Sequence, residues 1–178
     1  MNTYITLLKG INVGGHKKVP MVELRELLSK LGFKNVQTYI QSGNVILQST
    51  KDNLQDIEKV IKQAILDHFG FEVSVLVKTK SDLNHIFDES PFLEEEKKAS
   101  YFIMLHETPA KELVKIASEK VYEGEAYEII KNCIYYYSAK GFGQAKFNAN
   151  FFERKLKTFA TARNYNTMVK LLSLSADL

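Results

Sequence analysis

The chain has 178 residues, of which 45% are hydrophobic and 25% are charged, a composition typical of a globular protein and unlike that of a disordered one. The single cysteine, Cys133, excludes an internal disulfide, and the absence of a Cys/His cluster suits a reducing compartment. Because no apolar run approaches the roughly 20 residues that span a bilayer, and the start at Met1 does not resemble a secretory signal, we expect a cytoplasmic protein without a membrane partner.

The formal net charge of +3 is unevenly distributed along the chain. Residues 1–30 hold five Lys/Arg against two acidic residues, and residues 140–178 hold seven against two, so the middle of the chain is acidic. If the two basic ends meet in space, they form one face that suits an anionic partner. If they do not meet, these charges are simply solvated.

The first half of the chain predicts strands and helices in the order β, α, β, β, α, β. The strands are expected at residues 4–8, 36–40, 44–48 and 73–77. Apolar residues at helical spacing predict a first helix that begins near Pro20 and ends at Gly32 with a Schellman cap. A second helix is predicted to begin at Asp52 and end at Gly70. This is a ferredoxin-like βαββαβ unit, and right-handed crossovers place its strands in the order 4-1-3-2.

The second half is less regular and predicts a βαββα unit without a clear final strand. Strands are expected at residues 101–105, 127–131 and 134–138, and helices at residues 81–87, 150–159 and from Asn166 onward. A helix is predicted to begin at Thr108-Pro109, and residues 91–98 are predicted to form a charged loop. The fold class is therefore α+β, an α/β sandwich, with subdomains 1–78 and 79–178 that we expect to pack as one body.

The predicted topology brings two glycine-containing turns to the same end of the first unit. The first strand runs up, the helix returns, and the second strand runs up again, so the loop at residues 10–19 and the turn at residues 41–43 meet there. Exposed amides near glycines, a helix N-terminus and lysines all favour an anion. The alternative is that the glycines only permit tight turns and the lysines are solvated. The candidate ligand-binding residues at this end are Asn12, Gly14, Gly15, Lys17, Ser42 and Asn44.

Two known nucleotide-binding motifs are matched only in part. Residues 10–17 lack the order of a phosphate-binding P-loop, because His16 precedes the lysine and Lys18 takes the place of the hydroxyl residue. Residues 140–147 share positions with the aromatic strand motif of RNA-recognition domains, but Gln144 replaces an aromatic residue and the segment is predicted to be a loop.

Three residues of the second half are further candidates for binding a phosphate or carboxylate group. Lys146 follows the glycines of residues 141–143, and Arg163 offers a planar fork of donors. Asn164 is a third polar candidate beside Arg163, whereas Asn166 is predicted to be a helix N-cap. No histidine or cysteine has the spacing of metal ligands, so neither a metal nor a cofactor is predicted.

Four separate blocks of the sequence, in this order, resemble an uncharacterised bacterial family known as domain of unknown function 1697. The resemblance implies a two-part fold related to the ferredoxin-like topology, and it implies no activity, substrate or cofactor. One departure is Ala145 before Lys146, where relatives tend to have a serine, so no hydroxyl is available there. The blocks are Gly10-Ile-Asn-Val-Gly-Gly15, Val19-Pro20-Met21, Tyr39-Ile-Gln-Ser-Gly-Asn-Val45 and Thr161-Ala-Arg-Asn-Tyr-Asn-Thr167.

Three functional hypotheses follow from these patterns. The first is a protein that binds a phosphate-bearing small molecule, nucleotide or nucleic acid at the glycine-rich end of the first unit. The second is a metal-independent enzyme that uses a lysine or histidine of the same cleft as a general acid or base. The third is a structural domain that pairs through its sheet edges, for example as a homodimer.

Overall fold

The structure is a computed structural model that describes residues 1–177. Within these residues the chain forms two compact units, one of Met1–Asn84 with the C-terminal segment from Lys170, and one of His85–Val169. The strands are β1 (Asn2–Leu8), β2 (Lys34–Tyr39), β3 (Asn44–Ser49), β4 (Val75–Thr79), β5 (Tyr101–Leu105), β6 (Glu125–Ile130), β7 (Cys133–Ser138) and β8 (Ala160–Asn164). The helices are α1 (Met21–Lys30), α2 (Leu54–Phe69), α3 (Lys80–Asp88), α4 (Glu94–Lys98), α5 (Lys111–Ala117), α6 (Ala149–Leu156) and α7 (Tyr165–Ala176). None of the helices in residues 1–177 combines the length and apolarity needed to cross a bilayer.

The first unit has a four-stranded antiparallel sheet in the order β2-β3-β1-β4. This confirms the predicted ferredoxin-like order. Helices α1 and α2 supply apolar stripes to the core of this unit, and each fully buried leucine or isoleucine contributes roughly 1.5–3 kcal/mol through removal of apolar surface from water. The buried core residues of the two helices are Leu24, Leu28, Ile57, Ile61 and Ile65.

Local capping ends the helices of the first unit largely as the sequence predicts. The amide of Gly32 donates to the Ser29 oxygen over 3.0 Å and the amide of Phe33 donates to the Leu28 oxygen over 3.3 Å. This pair of bonds is the predicted Schellman motif, with Gly32 at a φ of 93°. The predicted start of α2 needs a correction of one residue, because the side chain of Asn53, and not that of Asp52, accepts the amides of the first turn.

The second unit repeats the architecture of the first, with strand order β6-β7-β5-β8. Its final strand, β8, corrects the prediction of a unit that lacks one. Residue Arg163 pairs with Phe102 of β5, and the side chains of Thr161 and Arg163 are buried. These polar residues belong to a strand because of their pairing in the sheet, and their composition gave no indication of it.

Three local predictions in the second half are corrected by the structure. Residues 91–98 include the short helix α4 (Glu94–Lys98) where a loop was expected. Helix α5 begins after Ala110, which makes no side-chain capping bond, and not at Thr108-Pro109. The amide of Thr167 donates to the side-chain oxygen of Asn164 over 2.9 Å, so Asn164 caps α7 and the predicted cap Asn166 lies inside the helix.

Each unit closes one end of its own sheet with an equivalent pair of backbone hydrogen bonds. In the first unit, the amide of Leu8 donates to the Gly43 oxygen over 2.8 Å and that of Lys9 to the Ser74 oxygen over 3.0 Å. In the second unit, the corresponding bonds are Leu105 to the Asn132 oxygen, 2.8 Å, and His106 to the Phe159 oxygen, 2.9 Å. The chain is therefore a structural repeat in which the same ends of the two sheets can be compared directly.

Candidate anion-binding site

The two glycine-containing turns of the first unit lie together, as the topology predicts. The side-chain nitrogen of Asn12 donates to the backbone oxygen of Gln41 over 2.8 Å and to that of Val19 over 3.0 Å, and its side-chain oxygen accepts the amide of Val19 over 2.8 Å. One side chain thus closes the loop at residues 9–20 and ties it to the turn before β3. Asn12 has a φ of 55°, a left-handed conformation that asparagine tolerates better than most residues.

The tip of the loop is a tight turn built on two glycines. The amide of His16 donates to the oxygen of Val13 over 3.0 Å, and these two residues form an isolated antiparallel bridge. Gly14 and Gly15 lie between them with φ angles of 56° and 79°, as a type I′ turn requires. The backbone geometry alone therefore explains both glycines, and both residues are exposed.

A cleft of about 540 Å³ lies between this loop and the start of α1; we call it the loop cleft. Pro20 occupies the N-cap position of α1 and makes no side-chain capping bond, and the first bond of the helix runs from the Leu24 amide to the Pro20 oxygen. The amides of the first turn and the positive end of the helix dipole therefore adjoin the cleft without a capping side chain. The lining residues are Asn12, Gly15, Lys18, Val19, Pro20, Met21, Val22 and Gln41.

Ser42 and Asn44 shape the turn beneath the loop. Asn44 is fully buried, and its side-chain nitrogen donates to the Ser42 hydroxyl over 2.9 Å and to the Tyr39 oxygen over 3.1 Å. Between them, Gly43 packs so closely that a Cβ atom there would lie 2.7 Å from the Cβ of Leu8. These residues hold the turn against β1, so the structure gives them a positioning role beside the cleft.

Lys17 lies on a different cavity of the same unit, with a volume of about 280 Å³. Sequence reasoning missed the two other lysines of this cavity, Lys9 and Lys62. Lys9 follows β1 and Lys62 is an exposed residue of α2, so only the tertiary fold brings them together. We call this cavity the three-lysine cavity; its lining residues are Lys9, Gly10, Lys17, Lys62, Glu72, Val73 and Ser74.

The remaining candidates belong to the second unit. Arg163 is buried, its guanidinium donates to the Thr161 hydroxyl and to the Ala162 oxygen, both over 2.8 Å, and burial lowers its pKa to about 10. The backbone amide of Lys146 donates to the carboxylate of Glu125 over 2.5 Å, while its side chain is exposed. Asn164 caps α7.

The repeat provides an internal comparison for the loop of residues 9–20, which we call the glycine loop. In the first unit, residues 9–20 connect the first strand to the first helix, whereas residues 106–110 make the corresponding connection in the second unit. Five residues are therefore enough for this crossover, and the first unit uses twelve. The additional length contains the turn of Val13–His16 and lines both cavities, so the basic scaffold does not require it.

Comparison with known proteins shows relatives without an assigned activity. A family model described as "Protein of unknown function (DUF1697)" matches residues 1–135. No curated protein matches the chain. Among solved structures, the chain is similar to the conserved bacterial protein SP0830 from Streptococcus pneumoniae, with 25% identity, a TM-score of 0.76 and 98% of each chain covered.

Proposed function

The chain belongs to the family described as Protein of unknown function (DUF1697), and from the geometry of its first unit we propose that it binds a phosphate-bearing small molecule, such as a nucleotide, in the loop cleft. The observation that supports this proposal is the junction of loop and turn through Asn12, beside a helix start that no side chain caps. Amides at a helix N-terminus and a neighbouring lysine are a common arrangement for phosphate groups.

The cost of the loop argues for a role beyond connection. A non-glycine residue in the left-handed region costs of order 1–3 kcal/mol, less for asparagine, and the loop holds both Lys17 and Asn12 there, with φ angles of 47° and 55°. The second unit makes the same crossover with five residues and without this strain. We therefore attribute the extra length to ligand binding.

The size and lining of the loop cleft suit an organic phosphate. Its volume of about 540 Å³ falls within the roughly 300–1,000 Å³ of ordinary ligand pockets. The lining residues Lys18 and Gly15 suit the phosphate, and Asn12 and Gln41 line the same cleft. Val22 is 58% exposed and offers an apolar surface for the organic part of the ligand.

We propose that this binding takes place in the bacterial cytoplasm. The only cysteine, Cys133, is buried and forms no disulfide, which suits a reducing compartment where nucleotides and sugar phosphates are abundant.

Isothermal titration calorimetry with AMP, ADP, glucose 6-phosphate and a short single-stranded RNA tests the proposal. Lys18→Gln should weaken binding of the preferred phosphate compound about tenfold, since a charge-assisted hydrogen bond is worth ~1.5–3 kcal/mol. The matched control is Lys30→Gln, at the opposite end of α1, which should leave the affinity within about twofold. Binding that is equal in both variants, or binding of RNA alone, would contradict the proposal.

A further inference from the structure

The three-lysine cavity gathers basic residues from three separate elements of the first unit. Lys9 follows β1, Lys17 belongs to the glycine loop, and Lys62 lies on α2. Glu72 is the acidic residue that the cavity lining contains, so three lysines and one glutamate give a formal charge of +2. Like charges around one small cavity repel each other, and an anion between them relieves that repulsion.

Lys17 is already positioned at this cavity. Its ammonium group donates to the backbone oxygen of Glu72 over 2.7 Å. Because that acceptor is neutral, the bond orients the ammonium without cancelling its charge, and two of its three N–H donors remain for another acceptor. The amide of Asn12 donates to the Lys17 oxygen over 3.1 Å, which fixes the backbone from which this side chain extends.

One wall of the three-lysine cavity is packed against the core of the unit and tied to the start of the loop by a backbone hydrogen bond. Val73 is 1% exposed, and the amide of Lys9 donates to the Ser74 oxygen over 3.0 Å. Gly10 has a φ of 69° and no atom within 4 Å of the position a Cβ would take, so the backbone there is open to a small ligand. The cavity is thus walled on one side by the loop and on the other by residues 72–74 and α2.

We infer that the three-lysine cavity is a second anion-binding site, separate from the loop cleft, that takes a compact multivalent phosphate such as inorganic phosphate or pyrophosphate. Its volume of about 280 Å³ lies just below the roughly 300–1,000 Å³ range of pockets for larger organic ligands. Lysine side chains are flexible and carry point charges with rotatable donors, a chemistry that suits phosphate oxygens without selecting an organic group.

Two-dimensional ¹H–¹⁵N NMR titration of the full chain with inorganic phosphate, and separately with pyrophosphate, tests this inference. We expect the amides of Gly10, Val73 and Ser74 to shift. Lys62→Gln should weaken the affinity that these shifts report by about fivefold, the upper range for the loss of one solvent-exposed ion pair. Lys59→Gln removes the same charge from the same helix outside the cavity, and should change the affinity less than twofold.

The result of this titration does not depend on whether the loop cleft binds a ligand. Lys18→Gln should leave the phosphate-induced shifts of Gly10, Val73 and Ser74 unchanged, since Lys18 does not line the three-lysine cavity. The inference would be overturned if these three amides failed to respond to millimolar phosphate or pyrophosphate, or if Lys59→Gln and Lys62→Gln weakened binding equally. Circular dichroism of each variant verifies that it is folded, and all the lysines concerned except Lys9 are exposed.

Discussion

The side-chain nitrogen of Asn12 lies 2.8 Å from the backbone oxygen of Gln41, across 29 residues of sequence. This bond joins the glycine loop to the turn that precedes β3, and the remaining bonds of the same side chain close the loop on Val19. The shape of the loop cleft therefore depends on Asn12, whose side-chain nitrogen is already used to hold the loop in place.

Asn12→Ala should destabilise the protein by about 2–3 kcal/mol, since it removes three hydrogen bonds worth ~0.5–1.5 kcal/mol each. Asn35→Ala is a matched control because Asn35 also has a positive φ, of 49°, and makes a side-chain bond to Gln48. We expect it to cost only about 1 kcal/mol. Urea unfolding of both variants checks this difference, and equal losses would show that the Asn12 bonds do not stabilise the loop.

Gly43→Ala should be more destabilising than Gly15→Ala. Both glycines have a φ of 79°, but an added Cβ at Gly43 would lie 2.7 Å from the Leu8 Cβ and 2.9 Å from the Leu8 oxygen, whereas at Gly15 it would meet no atom within 4 Å. The shared backbone strain costs about 1 kcal/mol, and the clash at Gly43 adds about 1–3 kcal/mol. Thermal unfolding compares the variants, and similar melting temperatures would refute the close approach of turn and strand.

Acid should loosen the segment around residues 145–147 in the second unit. Burial tends to raise the pKa of Glu125, but the amides of Lys146 and Phe147 and the hydroxyl of Tyr136 donate to its carboxylate and hold the pKa below its usual value. The folded state thus favours the charged form, and its stabilisation is present at neutral pH and lost as the pH falls below 4.5, the ordinary value for glutamate.

Amide hydrogen-exchange protection factors of Lys146 and Phe147, measured at pH 7 and pH 3.5, check this effect. They should fall on acidification in the wild type. In Glu125→Gln, which cannot ionise, they should be lower at pH 7 and nearly independent of pH. Equal protection in the wild type at both pH values would contradict the role of the carboxylate.

Tyr135→Phe should cost about 1–2 kcal/mol, because the Tyr135 hydroxyl is buried and donates to the Ile86 oxygen over 2.7 Å. Burial also raises the pKa of this tyrosine, so it should ionise only above the ordinary pH range of a tyrosine in an absorbance titration. Tyr137→Phe, on the same strand at a half-buried position, is the control and should cost less than about 0.5 kcal/mol. A larger loss of stability for Tyr137→Phe than for Tyr135→Phe would contradict the stabilising role of the Tyr135–Ile86 hydrogen bond.

Local signals predicted the fold well wherever a short segment decides the conformation. The Gly32–Phe33 cap is one example, since a glycine after an apolar helical stripe has few other uses. The same reasoning failed for β8, because Thr161 and Arg163 become strand residues through their pairing with β5 and their burial. The cap of α7 was predicted two residues too late, at Asn166, because the end of β8 at Asn164 was not foreseen.

The candidate site was predictable only in part. Chain direction alone brings residues 10–19 and 41–43 to one end of the sheet, and the Asn12–Gln41 bond confirms that proximity. Lys9 and Lys62 were not predicted because they are 53 residues apart and each has the sequence context of an ordinary surface lysine. Nothing in the sequence indicated that Lys17 lines a cavity other than the loop cleft, where its side chain donates to the Glu72 oxygen.

The most direct measurement is a ¹H–¹⁵N NMR titration of the full chain with AMP at low and at high salt. If the loop cleft binds a phosphate-bearing ligand, the amides of Gly15, Met21 and Val22 should shift first, and the affinity should fall as salt screens the charge of Lys18. Shifts confined to residues 85–169, or none at saturating AMP and at saturating sugar phosphate, would contradict the proposal.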